Sequence, residues 1–185
     1  MGLAIADVAG KGPSAALLAA LIQGMLLVEA VQGGGPAAVI SRLNARLVVR
    51  HLESRFATLT YCVLSSKREL AYCNAGHNPP VLLSSDGLFR LETGGPILRA
   101  FRDAPFGQEQ LCVRAENLLI VFTDGITEAA DERGQEYGDE RLLALIRAAP
   151  RDPRALVEKI FQSVTEFCGG TEPQDALTAI VVQFL

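Results

Sequence analysis

The chain reads as an α+β layered domain, because its strands come in runs and its helices in pairs rather than in strict alternation. Three observations carry this reading. Two stretches with helical character, residues 15–31 and 37–51, stand together near the N-terminus. Between residues 56 and 123 the apolar period falls towards two, punctuated by Ser, Asp and Gly turns. Two more helical patterns, 139–149 and 154–167, then precede a last apolar run, 177–185.

Taken in order, residues 2–8 predict a strand that Gly10 and Gly12 end abruptly. Pro13 suits a helix's first turn, where its missing N–H costs nothing. Residues 15–31 contain no breaker except Gly24 and are apolar on nearly every side. That predicts burial on several faces, between the sheet and either the second helix or a partner chain. Gln23, Gly24 and Glu29 interrupt the stretch, which is expected to fall short of a membrane span. Gly33-Gly34-Gly35-Pro36 closes it and opens the helix 37–51, whose Arg42, Asn44 and Arg46 mark a wetter face.

Strands follow at 56–64, 69–74, 81–83 and 88–91. Ser65-Ser66-Lys67-Arg68 and Ser84-Ser85-Asp86-Gly87 join them as hairpins, so the neighbours are antiparallel. Strands 110–114 and 117–123 lead to an Asp-Gly turn. Helices 139–149 and 154–167 are separated by Pro150 and Pro153, and 177–185 is the final strand. No internal repeat, low-complexity tract or linker interrupts the chain.

A length of 185 residues is most simply one domain with a sizeable core. Hydrophobic residues at 49% and charged residues at 21% place it among ordinary globular chains. The net charge of −4 carries no electrostatic footprint for nucleic acid. Cys62, Cys73, Cys112 and Cys168 lack C-x-x-C spacing, and three of them lie in strand-like stretches. They read as small buried hydrophobes rather than zinc ligands or disulfide partners. With no signal-peptide pattern after Met1, a reducing cytoplasm and no membrane attachment are expected.

The chemistry-bearing residues are three aspartates at the ends of apolar runs. Asp7 ends Ala4-Ile5-Ala6, Asp124 ends Phe122-Thr123, and Asp175 precedes the run that begins at Leu177. Carboxylates at strand ends are held at a sheet edge, where they can converge on hard cations such as Mg²⁺ or Mn²⁺. Singly, each also fits an ordinary turn. A nucleotide-binding P-loop at residues 5–12 is excluded, since Ile5 stands where the first Gly belongs and Gly12 follows Lys11 where Ser or Thr is required. No G-x-S-x-G elbow, H-E-x-x-H motif or metal-type Cys/His cluster occurs.

These segments carry a resemblance. Ile5-Ala6-Asp7-Val8-Ala9-Gly10-Lys11-Gly12, Phe56-Ala57-Thr58-Leu59 and Asn74-Ala75-Gly76-His77-Asn78-Pro79-Pro80 match in order. Gly94-Gly95-Pro96, Thr123-Asp124-Gly125-Ile126-Thr127-Glu128-Ala129, Tyr137-Gly138, and Asp175 with Thr178 complete the set. With them the whole chain resembles the PPM family of metal-dependent Ser/Thr protein phosphatases, in the bacterial branch of stage II sporulation protein E and the sigma-B regulator phosphatases. The resemblance implies a four-layer α-β-β-α sandwich of two antiparallel sheets flanked by helices. It implies two Mn²⁺ or Mg²⁺ ions, with Asp7 bridging them, the Val8 backbone carbonyl on one, and Asp124 and Asp175 completing the protein's ligands. Glu128 matches either a position that holds a further, weaker ion or a solvated or helix-capping residue. Gly10 and Gly12 are expected to admit substrate phosphate close to the backbone. His77 is either a turn-holding residue or the general acid for the leaving oxygen.

The expected substrate is phosphoserine or phosphothreonine on an anti-sigma-factor antagonist, with an upstream sensor domain or regulator as a further partner. The alternative is a catalytically weak binding module of the same fold that recognises a phosphoprotein or regulator. The sequence departs from the branch in two places. Only six residues precede Asp7, so the acidic strand that relatives carry upstream is expected to be absent, weakening cation affinity and leaving an edge open to homodimerisation. Ala176 stands where many relatives have a second acid.

Overall fold

In chain order the elements are β1 (Gly2–Val8), α1 (Pro13–Ala30), α2 (Gly35–Val48), β2 (Ala57–Leu64), β3 (Glu69–Ala75), β4 (Val81–Ser84) and β5 (Gly87–Arg90). They continue with β6 (Gly94–Gly95), β7 (Glu109–Cys112), β8 (Leu118–Phe122), α3 (Asp124–Thr127), α4 (Gly138–Ala148), α5 (Pro153–Cys168) and β9 (Ala179–Gln183). This computed structural model describes residues 1–49, 55–170 and 175–185. They fall into two compact units, Met1–Pro79 with Leu91–Val113, and Pro80–Arg90 with Arg114–Leu185.

The first unit is built on a sheet of order β1-β2-β3-β6, with β7 also paired to β3. All of its pairings are antiparallel except β3 with the two-residue β6. Alternation along β2 places Ala57, Leu59 and Tyr61 on one face, where they meet Leu18 and Ile22 of α1 and Val39, Ile40, Leu43 and Leu47 of α2. Ile5, Asp7, Thr58 and Thr60 therefore lie on the sheet's other face.

Helix α1 corrects the expectation of burial on several faces. Its buried positions are Ala15, Leu18, Ile22 and Glu29, a single stripe at helical spacing, while Leu17, Leu27 and Val28 are exposed. The all-round apolar character does not require all-round contact. One face meets the sheet and α2, and among the described residues of this unit nothing covers the other. By length and composition alone, α1 is also long and apolar enough to cross a membrane, contrary to the expectation from its interruptions. Only 22% of it is buried.

The wetter face expected on α2 holds at Arg46, which is exposed, and is corrected at Asn44. Asn44 is buried, and its amide is consumed by the loop beyond β6. It donates to the carbonyls of Phe101 and Arg102 and accepts from the Arg99 N–H at 2.8 Å. Arg42 bends back onto α1, where its Nη2 also donates to the carbonyls of Glu29 and Gly33 and caps the helix end. The final residues of the expected 37–51 helix lie outside the described residues.

The second unit holds the sheet β5-β4-β8-β9, antiparallel throughout. Every residue of β8 is buried. Leu142 and Ile146 of α4 and Leu156, Ile160 and Val164 of α5 pack with Val81, Leu118, Ile120 and Phe122. Asp152 caps α5 by accepting from the Ala155 N–H at 2.7 Å, one residue ahead of the proline that marks its first turn.

All four cysteines are free. Cys62, Cys73 and Cys168 are buried, but Cys112 is exposed. It departs from the buried reading because β7 pairs on one side only, with β3.

Candidate metal centre

Asp7 is the penultimate residue of β1, the edge strand of its sheet, and it is exposed. Among the described residues its carboxylate meets no hydrogen-bond or ion-pair partner. The Ala9 N–H donates to the Phe56 carbonyl at 3.0 Å and the Leu64 N–H to the Met1 carbonyl at 2.8 Å. Hydrogen-bonded pairs alternate along an antiparallel ladder, so odd positions of β1 face β2 and the backbone groups of Val8 point away from it. On an edge strand that direction is open. The Val8 carbonyl is therefore available as a ligand, as the resemblance implies.

Gly10 shapes the turn after β1. Its φ is +92°, in the left-handed region, and a Cβ there would run into the Arg55 guanidinium. Arg55 donates from Nη1 to the Ala9 carbonyl at 3.0 Å, pinning the turn two residues beyond Asp7. The sequence does not mark Arg55, because an arginine just before a strand has no distinctive spacing. Gly12 precedes α1, with φ +93° and open space where a Cβ would stand.

Asp124 opens the short α3 directly after β8. The Thr123 hydroxyl donates to the Ala176 carbonyl at 3.1 Å and accepts from the Thr178 N–H at 3.3 Å. The Thr123 N–H donates to the Thr178 carbonyl at 3.1 Å. One threonine thus ties the residue before Asp124 to the residue after Asp175. Gly125 is the second reason they meet, since a Cβ there would lie 2.5 Å from the Ala176 carbonyl oxygen. Asp175 lines a cavity of about 50 Å³ with Gly125, Glu128 and Ala129. Glu128 is exposed at the end of α3, and its N–H donates to the Asp124 carbonyl at 2.7 Å.

The structure therefore brings Asp124, Asp175 and Glu128 to one end of the second unit's sheet. Among the described residues no three His, Cys, Asp or Glu side chains lie close enough together to hold a metal ion. The donors still fit hard cations chemically. Asp7 and Asp124 are acceptor-only carboxylates that meet no basic side chain among the described residues.

His77 sits in the turn after β3 and is buried. Its N–H donates to Asn74 Oδ1 at 2.7 Å, its carbonyl accepts from Asn74 Nδ2 at 2.8 Å, and its Nδ1 lies 2.7 Å from Thr58 Oγ1. Of its two expected roles, these bonds match the turn-holding one.

Two antiparallel sheets with flanking helices are also the fold of solved PP2C phosphatase domains. The SiaA-PP2C domain of Pseudomonas aeruginosa superposes with a TM-score of 0.87 at 19% identity, over 99% of this chain and 75% of that one. The family model described as Stage II sporulation protein E (SpoIIE) matches residues 1–185, and the chain belongs to that family, whose phosphatases are metal dependent. Among relatives, the phosphoserine phosphatase RsbU of Bacillus subtilis is 31% identical over 138 residues, which are 72% of this chain and 41% of RsbU. Protein IcfG of Synechocystis is 28% identical over 98% of this chain and 33% of its own length. The chain spans 33% to 41% of the length of these curated relatives.

Proposed function

We propose that residues 1–185 act as one catalytic domain, a metal-dependent phosphatase that hydrolyses phosphoserine and phosphothreonine on a protein. The family match over the whole chain supports the reaction class. The observation that carries the site is Thr123, whose hydroxyl holds the Asp124 turn against the Asp175 segment. Close packing at this sheet end is done by Gly125 and the backbone rather than by the two acids.

In this reading Asp7, the Val8 carbonyl, Asp124 and Asp175 hold two Mn²⁺ or Mg²⁺ ions, and Glu128 holds a third, weaker one. When bound, such ions neutralise phosphoryl oxygens and activate water. The chain's own residues do the positioning. The end of β1 carries Asp7, the start of α3 carries Asp124, and the Thr123 hydroxyl holds the Asp175 segment. Gly12 leaves the backbone open to the substrate phosphate, whereas Gly10, expected to do the same, makes room for the Arg55 guanidinium. His77 is held in the turn after β3 by Thr58 and Asn74.

The substrate proposed by family analogy is a phosphorylated anti-sigma-factor antagonist in the bacterial cytoplasm, with further regulatory sequence in the whole protein. The relative named a phosphoserine phosphatase supports the phosphoserine in this reading. The test is phosphate release from a phosphoseryl peptide. Release that requires manganese, stops with chelator and disappears in Asp124→Asn supports the proposal. Equal release by wild type and Asp124→Asn contradicts it, and no release from any phosphopeptide leaves the binding-module reading.

A further inference from the structure

Asp7 stands at a sheet edge, so β2 is the only neighbouring strand among the described residues that can position it. The residue opposite is Thr58. Because odd positions of β1 form the hydrogen-bonded pairs with β2, Asp7 and Thr58 exchange backbone hydrogen bonds, and their side chains stand next to each other on one face.

Thr58 is itself held from the far side. Its hydroxyl lies 2.7 Å from His77 Nδ1. His77 is 4% exposed, and its backbone is clipped to the Asn74 side chain by two hydrogen bonds, 2.7 and 2.8 Å long. Asn74 is a buried residue of β3, near the end of the ladder with β2. The connection therefore runs from β3 through Asn74, His77 and Thr58 to the position of Asp7. A β-branched side chain has few χ1 choices, and a single hydrogen bond is enough to select one. Thr58 and Asn74 are uncharged, and a lysine or arginine in the place of Thr58 would pair with the carboxylate and displace a cation.

Resting on the metal-dependent reading above, we infer that Thr58 and His77 are positioning residues for Asp7. His77 fixes the Thr58 rotamer, and Thr58 fixes where the Asp7 carboxylate stands. Neither touches substrate. A turn-holding histidine needs only its backbone bonds to Asn74. The Nδ1 contact with Thr58 is superfluous to the turn, and it ends beside the one carboxylate assigned to both ions.

The test is manganese titration by calorimetry on the full chain, with steady-state hydrolysis of an aryl phosphate alongside. Thr58→Val keeps the shape and removes the hydroxyl. It is expected to weaken manganese binding about tenfold, the usual scale for a group that orients a ligand. At limiting metal, kcat falls in proportion while KM for the aryl phosphate is unchanged. Thr58→Ser restores both, and His77→Phe reproduces the loss. Should the histidine variant fail to fold, the isosteric threonine variant decides. Wild-type manganese affinity in Thr58→Val, or no rescue by Thr58→Ser, overturns the inference while Asp7→Asn still reports on the metal reading. A wild-type chain that takes up no manganese overturns both.

Discussion

Arg42 donates from Nε to Oε2 of Glu29 across 2.8 Å, at a carboxylate that is 1% exposed. Arg46 takes the other oxygen, Oε1, at 2.5 Å. A lone buried carboxylate is costly, so α1 and α2 are joined by an ion pair that neither helix can abandon cheaply. Arg42→Leu is expected to destabilise the chain by about 1–3 kcal/mol, below the roughly 3–5 kcal/mol of a fully broken buried pair, because Arg46 remains and Arg42 is itself part-exposed. Urea unfolding reads this directly, and an unchanged midpoint would show that the pair contributes nothing.

Leu17 and Leu18 are neighbours with opposite environments, 66% and 0% exposed. Leu18→Ala is expected to cost about 2–5 kcal/mol, the usual range for a buried leucine. Leu17→Gln should stay within about 0.5 kcal/mol of wild type, as surface changes do. Comparable losses in both would mean that the outer face of α1 is covered.

Gly125 abuts the Ala176 carbonyl too closely for a side chain. Gly125→Ala must push the Asp175 segment away, at an overpacking cost of about 1–3 kcal/mol. Manganese affinity should fall with it. A variant that melts earlier yet binds manganese as before would separate packing from the site.

Burial pushes the thiols of Cys62 and Cys73 up to about 12, with the neighbouring Cys73 adding to the shift of Cys62. The folded pKa lies above the unfolded one, so this stabilisation is complete below the unfolded value, near 9, and is lost as pH rises towards 12. Unfolding free energy should therefore decline between about pH 9 and pH 12 by up to about 1.4 kcal/mol per pH unit per thiol, and the double Cys→Ala variant should flatten that slope. Under native conditions a thiol reagent should label Cys112 alone.

Much of this architecture was legible in the chain. The period-two runs and the two hairpins placed strands β2 to β5 within a residue or two, because alternation and turn chemistry are local properties. The two-residue β6 and the four-residue α3 were too short to show a period. Asn44 looked like a surface residue because composition cannot reveal that the loop at Phe101 to Arg102 comes back to claim its amide. The exposure of Leu17, Leu27 and Val28 was hidden for a related reason, since apolar character says what a face tolerates and not what meets it. At the candidate site, the motifs single out Asp124 and Asp175, but not what holds their segments together. Thr123, Thr58 and Arg55 acquire their roles only through register and hydrogen bonding.

The most direct test of the metal centre is the manganese binding isotherm of the wild-type chain beside Asp7→Asn, Asp124→Asn and Asp175→Asn. Saturable binding is expected for the wild type, with a loss of at least about tenfold in affinity for each substitution, as when a charged oxygen ligand is removed. Wild-type affinity in the Asp7 and Asp124 variants would contradict a shared cation site.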